Sequence, residues 1–317
     1  MMLNLFEVVD PEEVSTLPAR YRDYAYASLA RASGRLGLDY RALVGRVRSP
    51  YLRAYVLAEM PLYDPSSLDS TVREVLALVP SLRYEEKVYA LSRLAETVYA
   101  LGAGGHEEFL SMAASYAPPV GYSGKARLAL AFSRCGEVER AVRVAEGFRG
   151  SRRASIYVEV ALSRPESLEL LVRVVRLVEK LRDSRKKIVL FSRLAKHPRY
   201  EEGVGTPVES IAMKVPLGGS LEDVYLSLLV ARNLAEAGYA GAARRGFEEV
   251  ASKLPPVDVL PLDFAELVLE AFYHYRGLQA ALRVAEGSSL APLYYAHLMD
   301  YVSMLSFENS LARVAGR

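Results

Sequence analysis

The segment AVRVAEGFRGSRRAS (141–155) aligns without gaps on VVRLVEKLRDSRKKI (174–188), at an offset of 33 residues. Its first seven residues recur as ALRVAEG at 281–287. In SLELLVRVVRLVEK (167–180), apolar residues stand at the i, i+3, i+4 and i+7 spacing of an amphipathic helix. The sequence therefore predicts helices that recur along the chain with a period close to 33 residues.

Small residues in the first helix of each predicted unit keep the same period. They are separated by 37, 34, 32, 34 and 36 residues: Ala58, Ala95, Ala129, Ala161, Ala195 and Ala231. No segment shows the alternating apolar pattern and hairpin turns of strands. We therefore predict an all-α fold, a right-handed α-α superhelix of about nine two-helix repeats of roughly 34 residues.

Proline, glycine and aspartate mark the predicted helix ends. Asp263 follows Pro261-Leu262 ahead of an apolar helix, so we predict that its carboxylate is the N-cap. The run from Gly102 to Gly105 precedes another helix. Its amides are compatible with a phosphate site, but no strand precedes it and no Lys-Ser/Thr pair follows, which favours a turn between helices.

Two segments carry a repeat motif as well as the period. Small, aromatic and turn residues of 126–148 and 230–255 fall at equivalent positions: Ala129, Phe132, Gly136 and Ala141 in the first, and Ala231, Gly238, Ala243, Phe247 and Pro255 in the second. This pattern resembles a degenerate tetratricopeptide repeat. The resemblance implies an α-solenoid of helical hairpins, and it says almost nothing about function.

The order of segments predicts four parts. Residues 1–18 are an acidic N-terminal cap, 19–199 the front part of the array, 200–220 a loop or hinge, and 221–317 the rear part. The alternative for 200–220 is a long loop between helices that contains one short helix at 208–214.

Composition indicates an ordered intracellular protein. Of 317 residues, 51% are hydrophobic, and the single Cys135 excludes an internal disulfide. The N-terminal sequence does not resemble a signal peptide, and no apolar stretch reaches the about 18 residues of a membrane span. We therefore expect a cytoplasmic protein without membrane contact. Three Asn and one Gln give it a thermophile-like bias.

The charge is distributed unevenly along the chain. Residues 134–199 carry 17 Lys and Arg against 8 Asp and Glu, a local charge of +9 in a chain whose net charge is +2, so the remainder carries −7. The 33-residue offset pairs basic positions of adjacent units. Ten of them are the predicted binding residues: Arg140, Arg143, Arg149, Arg152, Arg153, Arg173, Arg176, Arg182, Arg185 and Lys186. Stacked helices would align them as a basic ladder suited to phosphates or carboxylates.

Three interpretations of the ladder remain open. Glu146 and Glu179 recur three residues after Arg143 and Arg176, as expected for a solvated surface with i,i+3 ion pairs. The second interpretation is an acidic protein partner, and the third is nucleic acid, whose affinity would fall steeply with salt. The predicted function is a scaffold or adaptor that binds another protein, with a nucleic-acid or ribonucleoprotein-associated factor as the alternative.

No set of residues predicts catalysis or a cofactor. The four histidines lack metal-ligand spacing, and Cys135 has no companion cysteine. Tyrosines crowd the first hundred and last fifty residues, which is compatible with a peptide-binding groove or with rings that pack in the core. We therefore predict a protein that is not an enzyme and holds neither cofactor nor metal.

Overall fold

The computed structural model describes residues 9–204, 207–214 and 220–314. Within these ranges it contains nineteen α-helices and four short 3-10 helices and no strand, which confirms the predicted all-α class. None of the described helices combines the length and apolarity needed to cross a membrane. Parts of the predicted cap and loop, residues 1–8, 205–206 and 215–219, lie outside the described residues.

The chain forms two compact units. The first consists of residues 1–131 and 287–317, and the second of residues 132–286. The predicted loop or hinge at 200–220 lies inside the second unit, where it contains the short helices Tyr200–Gly203 and Val208–Met213.

The first unit is built from eight helices of the N-terminal part and the last helix of the chain. They are α1 Pro11–Ser15, α2 Ala19–Arg35, α3 Arg41–Arg46, α4 Pro50–Glu59, α5 Leu68–Leu78, α6 Tyr84–Ala100, α7 His106–Tyr116, α8 Tyr122–Arg134, which runs past the boundary, and α19 Ala291–Val314. The long helices pack in the order α19, α2, α4, α6, and α3, α5 and α7 pack on α2, α4 and α6 respectively.

Alanine permits the close approach of these helices. Ala58, Ala95 and Ala129, three of the residues that set the sequence period, are fully buried. Close packing also favours glycine at position 34, because a Cβ on Gly34 would lie 2.9 Å from the ring of Tyr63. Small side chains therefore let helices of the first unit approach one another closely.

The second unit contains the remaining ten helices. They are α9 Val138–Glu146, α10 Gly150–Leu162, α11 Leu168–Glu179, α12 Ser184–Leu194, α13 Tyr200–Gly203, α14 Val208–Met213, α15 Leu221–Glu236, α16 Ala240–Ala251, α17 Leu262–Arg276 and α18 Leu278–Ala285. The long helices pack in the order α10, α12, α15, α17, and shorter helices pack on them, α9 and α11 on α10, α16 on α15 and α18 on α17.

Aromatic packing fixes one end of the second unit. Phe247 is fully buried and stacks on Tyr275 with ring centroids 4.5 Å apart, and it meets Phe272 edge-on at 5.3 Å. The hydroxyl of Tyr275 donates to the carbonyl of Ala231 at 2.9 Å, so this buried phenol is satisfied. Three helices, α15, α16 and α17, are joined at this point.

Local sequence explains several helix ends, and one prediction of a helix end is wrong. Gly136 and Gly238 turn the chain between helices at φ of 91° and 89°, where only glycine is free of strain. The prediction for Asp263 is wrong, because α17 already begins at Leu262 and Pro261 is its N-cap. The extended ψ of Pro261 lets the next residue enter the helix, and the Asp263 carboxylate lies within the first turn, where the helix dipole favours it.

Candidate binding surface and inner ion network

The predicted basic residues lie mainly on α9, α11 and the starts of α10 and α12. On α11, Leu171, Val174 and Val178 face the core, so Arg173 and Arg176 stand on the opposite, exposed face. Arg143 is exposed in the same way on α9. The amphipathic pattern that forms these helices therefore also directs their arginines outwards.

One carboxylate forms ion pairs with two of the predicted residues. Glu146 lies 3.8 Å from the Nη2 of Arg153 and 3.4 Å from the Nη2 of Arg173. Arg173 also donates to the hydroxyl of Tyr157 at 3.0 Å, and both guanidinium groups lie over the Tyr157 ring. Glu146 therefore forms ion pairs with Arg153 and Arg173, whereas one interpretation of the sequence paired it with Arg143.

Three other predicted residues make contacts of their own. Arg140 pairs with Glu137 at 2.7 Å and lies over the ring of Phe132 at 4.1 Å. Arg185 reaches Asp223 at 2.9 Å and Glu222 at 3.1 Å, and Lys186 pairs with Asp183 at 3.5 Å. These ion pairs are at least partly solvated, and we expect each to contribute little to stability.

The remaining predicted residues are exposed. Arg149 precedes α10, Arg152 lies in its first turn, and Arg182 precedes α12. In the described part of the chain, neither Arg143 nor Arg176 forms an ion pair with Glu146 or Glu179. The structure thus brings Arg153 and Arg173 together through Glu146 and leaves Arg185 and Lys186 at a separate place on α12.

Two open hollows adjoin the exposed arginines. The first, of about 820 Å³, lies between α9 and α11, with Val138, Val142 and Leu170 among its apolar lining. The second, of about 680 Å³, follows α11 and includes Val172 and Leu177. They share Glu169 and Arg173, and together we name them the basic groove. Its charged lining is Arg143, Arg164, Arg173, Arg176, Lys180, Glu139, Glu166 and Glu169.

The basic groove combines apolar and cationic surface. Five basic and three acidic side chains line it, and Arg164 is partly neutralised by Glu166 at 3.7 Å. The exposed guanidinium groups of Arg143 and Arg176 stand beside valine and leucine side chains. Such a surface can take up an amphipathic segment that presents apolar and acidic side chains together.

Cys135 and two of the four histidines lie in contacts with the surrounding fold. Cys135 is buried, and the Nδ1 of His197 accepts from the backbone of Arg199 at 3.1 Å, while burial lowers the pKa of His197. His106 meets Tyr99 edge-on. No group of three potential metal ligands occurs within 9–204, 207–214 or 220–314.

The tyrosines divide between buried, intermediate and exposed positions. Several rings are buried in the cores of the two units: Tyr26, Tyr40, Tyr157, Tyr200, Tyr275, Tyr294 and Tyr301. Tyr84 and Tyr99 are exposed, at 57% and 41%. Tyr51, Tyr55 and Tyr89 are intermediate, with Tyr51 6.2 Å from Tyr55 and 6.4 Å from Tyr89.

Sequence reasoning missed a large group of ionisable side chains among the described residues of the first unit. It consists of four arginines and three carboxylates that alternate in sign, and we name it the inner ion network: Arg31, Asp300, Arg35, Glu59, Arg93, Glu96 and Arg127. These residues come from α19, α2, α4, α6 and α8. The network therefore links five helices through their long side chains.

Every carboxylate of the network bridges two arginines. Glu59 lies 2.8 Å from Arg35 and 3.0 Å from Arg93, and Glu96 lies 3.1 Å from Arg93 and 2.7 Å from Arg127. Asp300 in turn binds both Arg31 and Arg35. With four cations and three anions, the network carries one uncompensated positive charge.

The pKa of the buried carboxylate Glu59 shows how strongly the neighbouring arginines stabilise its charged form. Burial alone would raise the pKa of Glu59, but the positive charges of Arg93, Arg35 and Arg31 outweigh it, and its pKa is far below the ordinary value. The hydroxyl of Tyr63 donates to the same carboxylate and supports the charged form. Glu59 is therefore ionised throughout the physiological pH range.

The second unit repeats this arrangement in a more exposed form. Arg193 on α12 pairs with Glu159 on α10, and Lys196, two residues beyond the end of α12, pairs with Glu236 on α15. Arg232 on α15 then reaches Glu270 on α17 at 2.6 Å. In both units, ion pairs thus connect successive long helices.

A sequence signal for these networks exists. In several predicted units a charged residue stands one or two positions from the small residue that sets the period, as Glu59 does beside Ala58 and Glu96 beside Ala95. Because the small residue marks the place where helices touch, the adjacent charge marks where helices exchange ion pairs.

Comparison with models of known protein families, with curated proteins and with solved structures finds no match to this chain.

Proposed function

We propose that the protein is a scaffold or adaptor of the helical-repeat type, which binds an acidic, amphipathic segment of another protein in the basic groove. The proposal includes a right-handed array of about nine tetratricopeptide-like repeats acting in the cytoplasm, without catalysis. The observation that carries it is the pair of exposed arginines, Arg143 and Arg176, beside the apolar side chains of adjoining hollows.

Charge and apolar surface together favour a protein partner over nucleic acid. Arg143 and Arg176 have no ion-pair partner in the described part of the chain, so their donors are available to carboxylates. Glu139 and Glu169 also line the groove, and they would repel a continuous phosphate backbone. An acidic helix can avoid these two positions and still place apolar side chains on the groove floor.

Photo-crosslinking tests this proposal directly. A photoreactive amino acid at Val172 on the groove floor would be activated in a lysate of the source organism, and the attached peptide identified by mass spectrometry. We expect one dominant protein, attached through a segment rich in Asp and Glu. Attachment should weaken with added salt, because opposite charges hold the segment.

A matched pair of charge reversals controls the experiment. R143E/R176E should abolish the crosslink, whereas R244E/R245E, which makes the same change of charge on exposed residues of α16, should preserve it. Equal crosslinking in both variants would reject the groove as the binding surface. If RNA is attached and nuclease treatment removes it, the nucleic-acid alternative replaces the adaptor.

A further inference from the structure

The charges of the basic groove follow the same order in the two helices that line it. In α9, Glu139 lies in the first turn and Arg143 in the last. In α11, Glu169 lies in the first turn and Arg176 in the last. All four side chains are exposed and line the groove. Each helix therefore presents a negative charge near its N-terminus and a positive charge near its C-terminus.

The two helices run in the same direction. Residues 147–149 connect α9 to α10, residues 163–167 connect α10 to α11, and both α9 and α11 pack on α10. Helices joined by such short connections are antiparallel neighbours. Because α9 and α11 are both antiparallel to α10, they are parallel to each other. The acidic residues of both helices thus lie toward one end of the groove and the basic residues toward the other.

On α11 this order extends over four exposed residues, which we name the charged stripe: Glu169, Arg173, Arg176 and the C-cap Lys180. Their spacing of four, three and four residues places them on one side of the helix. Arg173 also pairs with Glu146 at 3.4 Å, so Arg176 and Lys180 carry most of the positive charge that a partner would meet. The exposed Glu179 lies about a quarter turn around the helix from Lys180.

The order of charges in the groove selects the direction of a bound helix. The helix dipole favours acidic side chains near the N-terminus of any helix and basic side chains near its C-terminus. A helix of this kind that ran parallel to α11 would bring like charges together at both ends of the groove. In the antiparallel direction, its acidic N-terminal half would lie beside Arg176 and Lys180. Its basic last turn would then lie beside Glu139 and Glu169.

We propose that the segment bound in the basic groove is a helix antiparallel to α11, with acidic residues in its N-terminal half and a basic residue in its last turn. This inference rests on the proposed function and adds the direction of the segment and the order of its charges. About three helical turns, or about 11 residues, match the length of the charged stripe. Apolar side chains of the segment contact the half-buried Val172 and Leu177, which border the stripe.

Two synthetic peptides of equal composition test this direction on the full chain. Both carry the same apolar positions and the same i,i+4 hydrocarbon staple, which holds them helical. In the acid-first peptide the Glu residues precede the Lys residues, and in the base-first peptide the order is reversed. Fluorescence anisotropy measures both affinities. We expect the acid-first peptide to bind about tenfold more tightly at low salt, and added salt to reduce this ratio, because exposed charges produce it.

An exchange of two charges on the protein provides the matched variant. E169K/R176E keeps the net charge of the chain but reverses the order of charges along α11. We expect it to bind the base-first peptide at least as tightly as the acid-first peptide. R245E/E249K makes the same kind of exchange on α16 and should retain the preference of the original chain. Far-UV circular dichroism verifies that both variants are folded.

The outcomes separate this inference from the proposed function. Equal binding of the two peptides, or tighter binding of the base-first peptide, would overturn the direction but leave the groove as a binding surface. An unchanged preference in E169K/R176E would also overturn it, since the charges of α11 would then not set the direction. If neither peptide binds, or if R143E/R176E binds the acid-first peptide as tightly as the original chain, the groove itself is rejected. If E169K/R176E does not fold, the two peptides on the original chain still decide the question.

Discussion

Replacement of Glu59 by glutamine should destabilise the first unit more than the small difference in shape between the two side chains suggests. The carboxylate is buried and shared by Arg35 at 2.8 Å and Arg93 at 3.0 Å, and Tyr63 donates to it as well. Removing one partner of a buried ion pair costs about 3–5 kcal/mol, because the remaining charge stays in the protein interior. We expect a loss within that range for E59Q, since two arginines lose one anion.

The pH dependence of this loss has a defined sign. The pKa of Glu59 is lowered in the folded protein, whereas an unfolded Glu has a pKa of about 4.3. Below that pH the unfolded state binds more protons, so the free energy of unfolding decreases as the pH falls. The stabilisation by Glu59 is therefore complete above about pH 4.3 and diminishes below it, and the difference between E59Q and the original protein should narrow in acid.

Urea denaturation followed by far-UV circular dichroism is the appropriate assay, since guanidinium chloride would screen the ion pairs. E249Q is the matched control, because Glu249 forms an i,i+4 pair with Lys253 at 3.3 Å on the surface. We expect E249Q to cost about 0.5 kcal/mol or less. If E59Q were no more destabilising than E249Q across the pH range, the inner ion network would not stabilise the first unit.

Two further predictions concern the second unit. G238A should destabilise the protein by about 1 kcal/mol, because Gly238 has a φ of 89°, whereas G241A, at an open helical position, should be neutral or slightly stabilising; thermal unfolding distinguishes the two signs. F247A should cost about 3–5 kcal/mol in urea denaturation, because it removes the ring stacked on Tyr275 at 4.5 Å, and a loss below about 1 kcal/mol would contradict tight packing there.

The helix content was predictable because the apolar spacing that forms a helix lies within a short stretch of sequence. The apolar period of 167–180 predicts α11, and the structure buries its Leu171, Val174 and Val178 as that pattern requires. The turn glycines were equally predictable, since the structure places Gly136 and Gly238 at positive φ. The start of α17 was misjudged, because an aspartate near a helix start is favourable both as a cap and in the first turn.

The candidate sites were less predictable, because they depend on partners distant in sequence. The offset of 33 residues aligned Arg140 with Arg173, but it could not show that Arg173 would reach Tyr157 and Glu146. The inner ion network was missed for a related reason. Asp300 lies 265 residues from Arg35, and no local pattern associates the last helix with the second. A search for charges adjacent to the periodic alanines would have found Glu59 and Glu96.

The alternation of sign in the inner ion network also constrains how similar helices can be assembled. Apolar surface alone distinguishes poorly between correct and incorrect neighbours of a helix. With Glu59 on α4 between arginines of α2 and α6, exchange of neighbouring helices would bring like charges together in a buried place. Such an arrangement penalises an incorrect order of helices. We therefore expect the network to favour the observed order of helices over orders that a uniform hydrophobic core would not distinguish.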